Sequence, residues 1–345
     1  MDSSIALILV QDGVVNGAIY ALLALSLVLV FAVTRVIFIP QGEFVAYGAL
    51  TYAALDSGHV PASLWLMCVL AACATLAGLW AERHVLSAAG LARLVGETVL
   101  LPCVVVAFVL WLGPRHPGVA VEALLSLAIV APMAPYLYRI AYQKLAASSA
   151  LVLLIVSVAV HLVLEGLGLL FFGAEGFRAT GFSTAVFTVD GLSISGQSIW
   201  IVGATLALMV ALYLFFARSL TGMALRATAV NRLGARLVGI PTEDAGRLAF
   251  TLAGLIGSLC GVLIAPLTTV YYNTGFLVGL KGFVAAIIAG LASYPLAALA
   301  AVVVGLVESF SEFWASAFKE VIVFTVIIPV LLWRSFRTPQ VEDES

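Results

Sequence analysis

Charge is scarce in this sequence. Lys, Arg, Asp and Glu make up 10% of its 345 residues, against 63% hydrophobic. A soluble domain carries roughly a quarter charged residues. A soluble fold of this length has no means of hiding so much apolar surface, so lipid must solvate part of it. Cysteine is scarce too: Cys68, Cys73, Cys103 and Cys260 lie in apolar runs, and none has CxxC spacing. They read as small packing residues rather than a redox or zinc motif. There is no GxxxxGK[ST], so this chain does not hydrolyse ATP. No clustered His and carboxylates suggest a metal, no catalytic set appears, and no cofactor is expected. No basic stripe interleaved with aromatics points to nucleic acid. No cleavable leader is evident, and the first apolar run reads as a retained helix.

What is present is a series of continuous Leu-, Ala- and Val-rich runs. They fall at about 12–33, 42–55, 64–82, 98–113, 121–140, 149–172, 198–217, 246–268, 277–292, 296–312 and 319–333. A membrane β-barrel shows alternating strands of about ten residues instead. A helix satisfies its own backbone in hydrocarbon and needs roughly 20 apolar residues to cross. The fold class is therefore an all-α polytopic membrane protein of about nine to eleven transmembrane or re-entrant helices. Segments 42–55, 98–113, 277–292 and 319–333 are short enough to be half-helices.

Lys and Arg favour cytoplasmic loops. With the N-terminus outside, the inside receives Arg35, Arg83, Arg93, Arg139, Lys144, Arg218, Arg226, Arg232, Arg236, Arg247, Arg334 and Arg337. That is twelve of the sixteen basic residues, and it puts the C-terminus in the cytoplasm.

Three polar stretches interrupt the runs. Residues 173–197 alternate loosely from Phe182 to Val189, turn at Asp190–Gly191 and continue through Leu192–Ile194. This predicts a small external hairpin, which either meets an external partner or merely connects. Residues 339–345 form an acidic, disordered tail. Residues 218–247 mix arginines with small and apolar residues and predict two short helices. Gly239 suits a helix C-terminus, Pro241 prevents continuation, and Thr242 caps the next helix, with Glu243 and Asp244 in its first turn. Two readings fit this stretch: docking into a cleft of a soluble partner, or an amphipathic helix resting on lipid headgroups.

The run GMALRATAVNRLGARLVGI, Gly222 to Ile240, resembles the coupling loop of branched-chain amino acid ABC transporter permeases, specifically the H-type subunit. Gly222, Arg226, Ala227, Ala229, Asn231, Ala235, Gly239 and Ile240 fit the family pattern. Asn16–Leu25 is similar to the family's opening N-G-x-x-Y-A-L-x-A-L. Phe38–Phe44 resembles the segment that interrupts its second helix. In residues 275–295, Gly275, Gly279, Lys281, Phe283, Gly290, Ser293 and Pro295 hold family positions. The chain departs from the pattern at Phe38 (usually Asn), Gln41 (usually His) and Ala289 (usually Gly). Residues 60–115 look like an additional two-helix hairpin.

The resemblance implies a single permease domain over 1–338 in a bacterial inner membrane. The partners it implies are two cytoplasmic ABC ATPase subunits, a second related permease, an external solute-binding protein and membrane lipid. Its solute would be a branched-chain or other amino acid, with urea, short amides and aromatic or carboxylic acids as alternatives. It implies a coupling surface of Gly222, Arg226, Ala227, Asn231, Arg232, Ala235, Arg236 and Gly239. A secondary transporter or channel is the competing class. It often carries many intramembrane ionisable groups, and few are present here. A membrane-bound enzyme would need a polar cluster that the sequence does not offer.

Polar residues inside spans line cavities or interfaces. Asn16 and Tyr20, one helical turn apart, are expected to face the interior. Gln41 and Glu43 lie in the interrupted region, where the Glu43 carboxylate would cap the following half-helix. His161 and Glu165 share a helix face and suit a hydrogen bond to a neighbouring helix. Asn16, Tyr20, Gln41, Glu43 and His161 are the candidate translocation path. Glu308 and Glu312, one turn apart near the outer end of a helix, are expected either to dock a basic patch on the solute-binding protein or to lie at a solvated helix end. The glycines of 254–261 are expected to let helices pack closely.

Overall fold

The computed structural model describes residues 3–82, 88–146, 148–189 and 192–337. The chain opens with α1 (Ser3–Thr34), α2 (Gln41–Asp56), α3 (Ser63–Glu82) and α4 (Ala88–Val95). A π-helical turn, Gly96–Leu100, leads into α5 (Leu101–Leu112), followed by α6 (Val119–Val130), α7 (Met133–Leu137) and α8 (Ala150–Phe172). A two-stranded antiparallel hairpin follows, β1 (Val186–Val189) with β2 (Leu192–Ser195), in the register Val186 to Ser195 and Val189 to Leu192. Then come α9 (Gly196–Arg218), α10 (Leu220–Val230), α11 (Arg232–Leu237) and α12 (Thr242–Ile264). The last elements are α13 (Thr274–Ile288), α14 (Tyr294–Ala315), α15 (Lys319–Thr325) and α16 (Ile327–Arg337).

Eight helical stretches among the described residues are long and apolar enough to cross a membrane. The difference from eleven predicted segments has three sources. α2 and α13 have only 16 and 15 residues, and segments 296–312 and 319–333 belong to one helical stretch, Tyr294–Trp333. The protein is an all-α multi-pass membrane protein. The predicted hairpin at 173–197 is present, but its Asp190–Gly191 turn and the acidic tail lie outside the described residues.

Glycine sets the core. On α1, Gly13 and Gly17 sit one turn apart and face Gly305 of α14. A Cβ on Gly305 would fall 2.3 Å from the Gly13 carbonyl oxygen and 2.5 Å from the Gly17 nitrogen. Small residues at this spacing let two membrane helices touch backbone to backbone. The predicted glycines of α12 do the same work. Gly254 meets the carbonyl of Ala131, Gly257 meets Phe44 and Gln41, and Gly261 meets the carbonyl of Val45. At the centre, the two short helices cross with no side chain between them: a Cβ on Gly275 would lie 2.1 Å from the Gly42 carbonyl oxygen. By contrast, α8 and α9 present leucines and valines such as Leu162, Val163, Leu206 and Val210 outward, as lipid-facing helices must.

The break before α2 has a clear form. The chain turns at Arg35, with φ of 61°, and runs non-helically through 36–40 with Val36 and Phe38 buried. The Gln41 side-chain amide donates to the carbonyl of Ala253, 3.0 Å away and at the midpoint of α12. α2 therefore starts halfway down the bundle. Irregular backbone at such depth is tolerated only inside protein, and here an aromatic cluster encloses it. Phe38 packs on Phe250 at 4.7 Å between ring centroids, with Phe44 and Tyr142 around it.

Candidate coupling segment and intramembrane polar sites

Residues 219–241 are built by capping. The Ser219 hydroxyl accepts from the Gly222 N–H at 2.9 Å and starts α10. Gly222, Leu225 and Thr228 recur on the buried face of that helix. Asn231, in an extended conformation (φ −150°, ψ 101°), ends α10 and starts α11, where its side-chain oxygen accepts from the Gly234 N–H at 2.8 Å. α11 closes with Gly239 at φ 85°. The Ile240 N–H reaches the Ala235 carbonyl and the Gly239 N–H reaches that of Arg236, which is a Schellman termination. Gly239 thus has its predicted place. Thr242 does not: Pro241 holds the N-cap position and Thr242 is the first helical residue, buried, with no capping side-chain bond.

Of the eight coupling candidates, the structure turns some in and some out. Gly222 and Ala235 are buried, and Gly222 packs on the carbonyl of Phe215. The Arg232 guanidinium is tied to the Ala146 carbonyl at 2.8 Å. Asn231 and Gly239 shape the two ends of α11. Arg226, Ala227 and Arg236 are exposed. The same segment exposes apolar side chains, with Val230 85% and Leu237 81% exposed and Leu233 and Val238 close to them in exposure.

The five path candidates fall into separate sites. Glu43, fully buried on the first turn of α2, places Oε1 2.8 Å from Nδ1 of His161 on α8. The other His161 nitrogen is 3.8 Å from Glu165, and its ring stacks on Phe276 at 4.5 Å. The helix–helix bond predicted for His161 is therefore made to α2. Glu43, predicted as a cap, makes no capping bond at the start of α2; it turns to His161 because that imidazole is the polar partner facing it across the α2–α8 seam. Among the described residues, Glu43 Oε2 and Gln41 Oε1 are buried acceptors that receive no hydrogen bond.

Tyr20 belongs elsewhere. Its hydroxyl donates to Glu308 at 2.5 Å, and Lys281 on α13 lies 2.5 Å from Glu308 and 3.0 Å from Glu320. Asn16 is half-buried one turn earlier on α1. Glu308, expected on a solvated helix end, is only 5% exposed, as is Lys281. The correction has a physical reason: α14 passes beside α13, so the lysine and the carboxylate neutralise each other. Glu320 was not singled out from the sequence, and the pairing of Lys281 with Glu308 and Glu320 was missed. The signal was available, because a lysine within an apolar helix requires a counter-ion nearby. Glu312 makes its own pair with Lys319 at 3.0 Å.

A family model described as "Branched-chain amino acid transport system / permease component" matches residues 9–331. The chain is 32% identical over 149 residues to the high-affinity branched-chain amino acid transport system permease protein BraD of Pseudomonas aeruginosa, covering 43% of this chain and 48% of that protein. It is 32% identical over 157 residues to permease protein LivH of Escherichia coli K12, covering 45% and 48%. It is 30% identical over 112 residues to the probable LivH of Methanocaldococcus jannaschii, covering 32% and 36%. The chain spans about half the length of the first two of these relatives. With the family model running through nearly every helix described above, the chain belongs to the branched-chain amino acid transport system permease component family.

Proposed function

We propose that this chain is the membrane-crossing subunit of an ATP-driven importer for a small polar solute, a branched-chain amino acid first among them. Its N-terminus lies outside and its C-terminus in the cytoplasm of a bacterial inner membrane. Two ATPase subunits dock on the inside, a related permease completes the membrane dimer, and a solute-binding protein delivers from outside. The observation that carries this reading is the α10–α11 segment, a capped helix pair that exposes Val230, Leu233, Leu237 and Val238 along with Arg226 and Arg236. A lipid-resting amphipathic helix has no need of an Asn joint and a Schellman stop. A soluble ATPase cleft needs a rigid, shaped plug.

In this proposal the polar part of the path is Gln41, Glu43 and His161. The donor-less Gln41 Oε1 and Glu43 Oε2 are the groups that a passing ammonium would satisfy. Tyr20 is committed to Glu308 and holds the bundle. The test is co-purification. Arg226→Glu combined with Leu237→Glu changes only exposed side chains, so the protein is expected to insert normally and to lose its ATPase subunits in a pull-down. Unchanged recovery of those subunits would sink the docking role. ATP-independent solute uptake by the chain alone in liposomes would favour a secondary transporter.

A further inference from the structure

A cavity of about 710 Å³ opens beside α10, between α5, α7 and α12. Its walls are apolar, with Leu101, Pro132, Leu225 and Leu248 among them, and it runs up α12 as far as Thr251. Thr251 lies nine residues beyond Thr242, the start of α12, or about 13 Å along the helix axis. Leu101 and Leu220, both on its rim, are exposed on the outer face of the protein. Leu101 belongs to the apolar stretch Gly96–Arg115, long enough to cross a membrane, so on that side the slot opens toward lipid.

A second cavity of about 170 Å³ shares Arg139, Asp244 and Arg247 with the first. It is polar and reaches Gln143 and Glu243. Arg247 lies 2.8 Å from Glu97 and also pairs with Asp244. Joined, the two cavities have the shape and polarity of an amphiphile, with an apolar slot ending in a charged vestibule. The vestibule charge is mixed. Among the described residues, two guanidiniums stand with three carboxylates: Glu97, Glu243 and Asp244.

We propose that these joined cavities hold one membrane phospholipid with a zwitterionic, amine-bearing head, of the phosphatidylethanolamine kind. The acyl chain fills the slot, the phosphate meets Arg139 and Arg247, and the ammonium meets the carboxylates. A purely anionic head would face a surplus of carboxylate. A quaternary choline head has no N–H to donate. Thr221 and Ala224 of α10 also line the slot, so the lipid touches the coupling segment itself. The proposal rests on the cavities and the membrane setting, and it stands whether or not α10 docks an ATPase.

The test is native mass spectrometry of the delipidated protein offered equal amounts of phosphatidylethanolamine, phosphatidylglycerol and phosphatidylcholine. Retention of phosphatidylethanolamine about tenfold above either competitor is expected. Ala224→Phe or Thr221→Phe, each filling the slot, should abolish it in protein that still elutes as a single species. Glu243→Gln, on an exposed side chain, should shift the preference toward phosphatidylglycerol. Equal retention of all three lipids would mark ordinary surrounding lipid and overturn the proposal. So would a wild-type preference for phosphatidylglycerol or phosphatidylcholine, undiminished retention in a folded slot-filling variant, or an unmoved preference in Glu243→Gln.

Discussion

Two charged sites lie inside this bundle, and they are built on different terms. At the α13–α14–α15 site, Lys281 stands between Glu308 and Glu320 while Tyr20 holds the remaining oxygen of Glu308. Side chains of four elements, α1, α13, α14 and α15, meet there. At the α2–α8 site, a single imidazole meets Glu43, and the nearby Glu165 is partly exposed. The first site is tied by three polar contacts among four side chains, whereas the second rests on one short contact between two. The first site thus ties several helices together, and the second holds the single seam between α2 and α8.

The sharpest way to break the comparison is Lys281→Met. It strands Glu308 without its cation, which costs about 3–5 kcal/mol when one partner of a buried pair is removed. The expected result is loss of the folded species on detergent size-exclusion. Lys281→Met with Glu308→Met should recover part of that loss, because the pair as a whole is worth less than either half left alone. A single lysine variant as stable as wild type would erase the distinction between the sites.

A smaller effect is expected from His161→Leu. Glu43 loses its hydrogen bond inside the bundle, at about 1–3 kcal/mol, read as a lower unfolding temperature with the protein still folded. Equal losses at His161 and Lys281 would make both sites simple locks. The smallest effect belongs to Glu165→Gln. Its distance of 3.8 Å and its partial exposure limit the change to about 0.5 kcal/mol or less. A larger drop would show that Glu165 shares in holding the seam.

How much of this was legible in the sequence follows from what each feature depends on. The long apolar runs announced the spans, because hydrocarbon solvation is a property of composition. The interruption at Phe38–Phe44 was legible through the family resemblance, and the stop at Gly239 because it rests on local backbone chemistry. Run 121–140 was expected as one segment, yet its α-helix is interrupted near Pro132, whereas runs 296–312 and 319–333, expected as two, lie in one helical stretch. Glu308 was misplaced because its partner is 27 residues away, and hydrophobic periodicity does not report which helix lies alongside. Glu43 was misread for the same reason: its partner is 118 residues distant. The cap assigned to Thr242 failed by one residue, the usual margin for helix ends.

Asn231 serves at once as the end of α10 and the beginning of α11. The angle between the two helices is therefore fixed by one residue, with no slack of linker to absorb a displacement. A load on the tip of α11 would pass through Asn231 and α10 to α9 on one side and, through the four residues Val238–Pro241, to α12 on the other.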